Sequence, residues 1–550
     1  MKSSMIFLVL FLTSLITFGQ DSEEITKTQR KQLDAITIKD VPKGGPGIAV
    51  GIVKNGQIVY KNYAGYANLK DSVVIGKESR FNIASNGKQF TAFAILTLVE
   101  KNTLSLEDDI RTYLPNLYKN IKKPILIKHL LNHSSGIRDV YDLWSLQGIT
   151  WWKVTFDNND AMELLEKQQD LNFESGSKYS YSNSNYIVLT QIIEKVTGTT
   201  FVAYTNQLFK DLDMPNTSFV SDYTNIAEPI AKPYFNFDTW KTYDWTCNLH
   251  GDGNLFSTLE DQLQWEKIIQ TKKSAVFSKE ILAKSQELIQ NTTIEKYGYG
   301  VEFSEYKSVP YKFHGGSTGA WKAVVNRFPE KNFSIVTMIN SGKIDPTGQT
   351  LEMADVLLNK TNEKETFRIT PETVGAKVKI EDVLGIYRTE GGYIMKFEKR
   401  DGDLYMLRSG RNDMKLIRES ANVFQQWNDA PFKQQFTKNE QGIMQITAYY
   451  PTVKPFTLTR IESDLSTFNF KALNGIFKNR ETDVSFILTH TEGIAYEVKI
   501  GEKKRNGLLL SPNELLVNDY SVKFWVDNAG NIKELFVTSG RIQNVRFVRE

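Results

Sequence analysis

Cysteine is almost missing from this chain: Cys247 is the single one among 550 residues. One thiol excludes an intrachain disulfide framework, a cysteine-rich zinc site and a C-x-x-C redox pair. An excess of one charge sign is missing too. Lys and Arg number 67 against 64 Asp and Glu, a formal net charge of +3. That balance argues against a protein whose main work is neutralising phosphates. No long apolar run occurs beyond Phe18, so the body of the chain offers no membrane span. The polar composition of a disordered chain is likewise absent, with 41% hydrophobic and 24% charged residues. At ~100–200 residues per domain, this length predicts two to four domains.

The first residues carry an address. Lys2 precedes an apolar stretch, Met5 to Phe18, and small Gly19 precedes Gln20. The segment 1–20 reads as a secretory signal peptide cleaved near Gly19-Gln20, since it falls short of the ~20 residues a comfortable span needs. An uncleaved anchor is the alternative. No cysteine follows the run, so a lipid anchor is not indicated. The expected product is exported, periplasmic or secreted, with no stable membrane insertion and with core packing in place of disulfides.

Two textures follow. After a charged helical lead-in (Asp21–Ile38), the runs Gly47–Val53 and Gln57–Tyr63 flank Lys54-Asn55-Gly56, and Asn-Gly is a strong hairpin signal. A buried helix is predicted around Phe90–Leu98, further helices at Ile127–Asn132, Ala161–Gln168, Tyr186–Val196, Leu259–Gln270 and Lys279–Gln290, strands at Gly298–Phe303, Trp321–Phe328 and Ser334–Ile339, and a last helix at Thr347–Leu358. Strands at both ends with helices between predict an α/β sandwich over 21–360, an antiparallel sheet with a helical region. Residues 361–380 are polar and read as a linker. Beyond it short alternating runs recur, and LGIYRTEGG and LNGIFKNRE repeat with Gly385 and Gly475 90 residues apart. Two small antiparallel β-barrels, 381–465 and 466–550, are expected.

Three places hold candidate chemistry. Ser85-Asn86-Gly87-Lys88 puts a hydroxyl and an amine one turn apart, at the start of the buried helix. Backbone N–H groups at such a helix start can hold a developing oxyanion, and an amine kept neutral by its surroundings can take the serine proton. The same S-x-x-K spacing at Ser175/Lys178 and Ser304/Lys307 lacks a following buried helix. Tyr181-Ser182-Asn183 lies on a loop just before a helix. Tyr181 works as a base only beside cations, and Asn183 offers an amide to orient a partner. His314-Gly315-Gly316-Ser317 precedes a strand. Gly316 lets the backbone pass close to a ligand, and the Ser317 N–H is a second candidate oxyanion donor.

In this order the three motifs resemble the serine penicillin-recognising family: class C β-lactamases, DD-peptidases and their esterase and D-aminopeptidase relatives. IKHLLNHSSGI, FESGSKYSYSNSNYIVL, GDGNLFSTLEDQLQW and YGYGVEF match in family order, over about residues 45–360. The resemblance implies Ser85 as acyl-accepting nucleophile, Lys88 as its activator, Tyr181 as proton shuttle, Asn183, His314 and Gly316 as substrate-binding or orienting residues, and the N–H groups of Ser85 and Ser317 as oxyanion hole. No metal and no cofactor are implied. It also implies lipocalin-like folds for the two barrels. His314 departs from the Lys-Thr-Gly of true class C β-lactamases. A fixed charge that meets a substrate carboxylate becomes a residue mostly neutral at pH 7. This favours an ester, a D-amino-acid amide or a peptidoglycan-type peptide over a β-lactam. A true β-lactamase or D-alanyl-D-alanine carboxypeptidase stays open, as does a catalytically inactive envelope sensor using the same pocket.

Other readings compete. Gly315-Gly316-Ser317-Thr318-Gly319 fits G-x-S-x-G, an elbow that needs a helix after it, yet strand-like AWKAVVNRF follows. His129 and His133 have zinc-helix spacing without the glutamate that goes with it. Cys247 lies three residues before His250, but a buried thiol is the plainer reading. Trp144, Trp151 and Trp152 read as core rather than cleft wall, and Lys503-Lys504-Arg505 as a solvated turn.

Overall fold

The computed structural model describes residues 25–235, 240–360, 377–407, 413–427, 429–450, 453–518 and 520–550. The signal segment 1–20 and most of the linker, 361–376, lie outside the described residues. The N-terminal region is built on a six-stranded antiparallel sheet in the order Gln57–Ala64, Ile48–Lys54, Phe333–Ile339, Trp321–Phe328, Val309–Thr318, Glu302–Tyr306. The hairpin turn falls on Asn55 and Gly56, both at positive φ (50° and 74°), as a tight turn of this kind demands.

The three central strands of the sheet are buried on both faces. Ile48, Val50, Ile52, Ile335 and Ile339 point to the side covered by the helices Lys27–Ile38 and Pro346–Leu358. Ala49, Val53, Val336 and Met338 point to the other, against Leu259–Thr271 and the larger helical region. Burying both faces explains why these strands read as continuous apolar runs. The first helix starts with a capping box, Thr26 with Gln29. Asn183–Thr197 stops at Gly198, which is left-handed.

Two closed eight-stranded barrels follow, each an up-and-down meander. Gly385 and Gly475 open them. Closure sets Tyr387 against Arg460 in the first and Phe477 against Arg549 in the second, so the repeat in sequence is a repeat in structure. Alternate residues fill each interior with Met, Phe, Leu, Ile and Val side chains.

Several expectations need correction. The strand expected at Gly298–Phe303 forms at Glu302–Tyr306, because Gly300 is left-handed (φ 70°) and breaks the run. The third motif precedes the strand Trp321–Phe328 as expected, but it also sits within a strand of its own, Val309–Thr318, whose Lys312 and paired glycines hide its alternation. Helices Val140–Leu146 and Phe201–Asp211 were not expected, and the helix at Lys279 ends already at Lys284. Lys503-Lys504-Arg505 is the start of a strand rather than a turn, with Lys503 bonded to the Gly148 carbonyl and Lys504 paired with Glu497.

Candidate active site

The nucleophile candidate stands on an elbow. Phe81–Asn82 is a short strand, Ala84–Gly87 a single 3₁₀ turn, and Lys88–Glu100 the helix it feeds. Ser85 therefore lies one turn ahead of the α-helix rather than on it. Ala84 takes a left-handed φ of 49°, a strain of about 1–3 kcal/mol for a residue with a Cβ. It is held there by its N–H bond to Asn82 Oδ1 at 2.9 Å. The helix behind is apolar on every side and fully packed, so the elbow sits on a rigid base.

Lys88 is wholly buried. Its Nζ donates to Ser85 Oγ at 3.1 Å, to Asn183 Oδ1 at 2.9 Å and to the Asp252 carbonyl. Burial pulls its pKa down to about 7, and the Arg541 charge pulls the same way. An amine poised there can accept a proton at neutral pH. Asn183 is locked by Asp139, whose Oδ2 accepts from the Asn183 N–H at 2.7 Å and from its Nδ2 at 3.0 Å. Asp139 also caps the unexpected helix Val140–Leu146, which is why a fully buried carboxylate is tolerated.

Tyr181 occupies the loop before helix Asn183–Thr197. Its ring lies 4.2 Å from that of His133, and both the Lys88 amine and the Arg541 guanidinium stand 4.9 Å from its centroid. Burial raises its pKa, while a hydrogen bond with Ser85 and the Arg541 charge act against that. His314 is buried on the sheet strand beside the elbow. Its Nδ1–H donates to the Gly315 carbonyl at 2.7 Å, and Nε2 accepts from Tyr297 O–H at 2.8 Å. Burial drives its pKa down to about 3, so it is neutral at any working pH. A Cβ on Gly316 would lie 2.0 Å from the Ile83 carbonyl and 3.0 Å from the Ser85 nitrogen. Glycine alone lets this strand approach the elbow, and it carries Ser317 in with it.

Ser85, Tyr181, Asn183, His314 and Ser317 line one cleft of about 670 Å³, with Lys88 buried behind them, and Trp151, Trp245, Asp142, Glu302 and Arg541 wall it as well. The structure thus brings Ser85, Lys88, Tyr181, Asn183, His314 and Ser317 together. The three tryptophans separate: Trp144 is core, stacked on Phe156, Trp151 lines the cleft against expectation, and Trp152 is exposed. Ser317 lies on a strand followed by a strand, which does not fit the α/β-hydrolase elbow. Cys247 also reaches the cleft, but burial raises its thiol to about 12 and its contact is the Leu249 carbonyl, not His250. His129 bonds Ser175, and no group of metal-binding residues occurs among the described residues. Asp139, Asp252, Tyr297 and Arg541 are site residues that the motifs alone do not single out. Asp252 and Tyr297 lie inside the strings GDGNLFSTLEDQLQW and YGYGVEF, whereas Asp139 and Arg541 leave no local signal.

The α/β sandwich followed by two β-barrels has the serine-hydrolase fold of the β-lactamase superfamily. The family profile described as Beta-lactamase matches residues 35–360, and the chain belongs to that family. Among curated relatives, protein flp of Staphylococcus aureus (strain MRSA252) is 27% identical over 339 residues, 58% of this chain and 64% of its own. D-aminopeptidase of Brucella anthropi is 27% identical over 322 residues, 58% of this chain and 60% of its own. The chain thus spans about three fifths of the length of these relatives. An octameric penicillin-binding protein homologue from Pyrococcus abyssi shares the fold over 78% of this chain and 99% of its own, with a TM-score of 0.56 and 22% identity. The D-amino acid amidase of Ochrobactrum anthropi SV3 shares it over 60% of this chain and 98% of its own (TM-score 0.51, 21% identity). Membership in this superfamily supports a related hydrolytic activity.

Proposed function

We propose that the protein is an exported serine acyl hydrolase that works through an acyl-enzyme. The observation that carries this is Ser85 Oγ held 3.1 Å from a buried lysine whose pKa is lowered to about 7. Ser85 Oγ attacks the substrate carbonyl carbon, and its proton passes to neutral Lys88. The oxyanion rests on the N–H groups of Ser85 and Ser317. The bond to the leaving group breaks as that group takes a proton through Tyr181. Water then enters, gives its proton back along the same path and releases the acyl chain.

The substrate proposed is an ester, a D-amino-acid amide or a peptidoglycan-type peptide. Neutral His314 offers no fixed cation to a substrate carboxylate, the Arg541 cation of the cleft is taken up by Asp139, and Glu302 lines the cleft and suits a substrate amine. The D-aminopeptidase relative fits that chemistry. Export rests on the apolar segment Met5–Phe18. The test is fluorophosphonate labelling with and without Ser85→Ala, then turnover of p-nitrophenyl esters, D-alanyl p-nitroanilide, a DD-dipeptide tail and nitrocefin. Labelling lost in Ser85→Ala and turnover of the ester or the anilide are expected. No labelling and no turnover would leave an inactive binding protein, and fast nitrocefin hydrolysis would restore the β-lactamase reading.

A further inference from the structure

The cleft is not made by the catalytic domain alone. Strands Ile532–Ser539 and Ile542–Arg549 of the second barrel are joined by the two-residue turn Gly540-Arg541, and this turn enters the cleft wall. It is pinned on both sides. The Arg541 N–H donates to Asp142 Oδ2 at 2.6 Å, its carbonyl accepts from Asn172 Nδ2 at 2.8 Å, and the Gln543 N–H donates to Asn172 Oδ1 at 2.6 Å. Gly540 has φ 53°, and a Cβ there would lie 2.6 Å from Asp142 Oδ2. The turn is therefore shaped for this seat. Above it the guanidinium meets fully buried Asp139 at 3.3 Å and stands 4.9 Å from the centre of the Tyr181 ring.

We propose that the second barrel is part of the catalytic apparatus: Arg541 is a positioning residue that holds Tyr181 and Asp139 and supplies the fixed positive charge that His314 lacks. The inference rests on the acyl-hydrolase reading above. The groups that face Tyr181 or Arg541 come from several elements: Ser85 and Lys88 from the elbow, His133 and Asp139 from the segment before Val140, Asp142, which burial raises to about 6, from the helix Val140–Leu146, Tyr186 from the helix after Tyr181, and Asp252 and Tyr297 from the far wall. His133 and Tyr297 are neutral by burial, Asp139 is matched by Arg541, and Lys88 surrenders its charge near neutrality. Arg541 is the cation that stays charged whatever proton moves. It favours the phenolate form of Tyr181 and the neutral form of Lys88 together, the two states in which a proton can be taken. Through Asp139 it also holds Asn183, the partner of Lys88.

The experiment compares full-length wild type with Arg541→Met, Arg541→Lys and Lys503→Met, following fluorophosphonate labelling rate, kcat and KM on p-nitrophenyl acetate, and melting temperature across neutral pH. Arg541→Met is expected to lower kcat and labelling about tenfold or more, with KM little changed and the pH midpoint moved upward. Arg541→Lys restores most of the rate and the midpoint. Lys503→Met, which removes another contact of this barrel, leaves both at the wild-type values. A wild-type profile in Arg541→Met overturns the inference while leaving the acyl-hydrolase reading intact. So does a folded Arg541→Lys that behaves like Arg541→Met, an equal loss in Lys503→Met, or a defect confined to KM. Absence of labelling in the wild type would sink both readings at once.

Discussion

Among the described residues, Tyr387, Phe397, Phe424 and Phe436 of the first barrel pack in a cluster made of that barrel's own side chains. In the second, Phe477, Phe486, Phe547 and their neighbours belong to one apolar cluster with the helices of the N-terminal domain. Polar contacts divide the same way. The second barrel gives Glu481 to buried Arg138 at 3.0 Å, accepts Gln147 at the Thr482 carbonyl at 2.8 Å, and sends Arg541 into the cleft. The first barrel meets the second through Arg388 and Glu514 at 2.7 Å. Two copies of one topology thus serve different ends. A barrel can be appended by a surface ion pair, or it can be joined through a shared core, and only the second kind of joint holds a side chain accurately enough to matter at a reaction centre.

The comparison can be broken in several ways. The baseline is the largest effect: Lys88→Met removes the proton acceptor shared by every element of the site, and the rate of Ser85 labelling is expected to fall about 10²–10⁴-fold. Next comes the joint itself. Glu481→Leu leaves the Arg138 guanidinium, 1% exposed, without its carboxylate, a loss of about 3–5 kcal/mol read as a lower melting temperature. A wild-type melt would show that the joint is not held by this pair.

The pH profile sharpens the chemistry at the shared site. Lys88 is lowered to about 7, so the form that accepts a proton prevails above that pH. Activity should rise through neutrality, losing about tenfold per unit below the midpoint. A flat profile there would remove Lys88 from the role of base. Gly540→Val tests the seat of the turn, where the new Cβ would strike Asp142. It should cut labelling about tenfold, at a cost of ~1–3 kcal/mol of overpacking. The smallest effect belongs to the first barrel. Arg388→Ala removes a pair whose arginine is one-third exposed and whose buried carboxylate keeps the Ser521 hydroxyl, and it should leave labelling unchanged with a small drop in melting temperature.

Much of this architecture is legible in the amino-acid sequence. The hairpin around Asn55-Gly56 and the strand Trp321–Phe328 follow from turn chemistry and continuous apolar runs, signals carried within ten residues or so. The strand that bears His314 is not legible, because Lys312 and the two glycines suit the site rather than the pleat. Of sixteen barrel strands, those with clean alternation are visible, while Lys503–Ser511 is masked by its basic start.

The same division runs through the site. Ser85 and Lys88 are one helical turn apart, so their spacing in sequence already implies their proximity in space, and Tyr181 and His314 stand in motifs of their own. The neutrality of His314, the lowered pKa of Lys88 and the pairing of Asp139 with Asn183 come from burial, a property of the assembled fold. Arg541 is the extreme case. Nothing within a two-residue turn of a β-barrel marks Arg541 as the neighbour of Tyr181, far earlier in the chain. Local sequence determines local geometry, because backbone sterics and side-chain periodicity act over a few residues. Only the packing of one domain's core onto another's decides which distant charge stands beside the tyrosine.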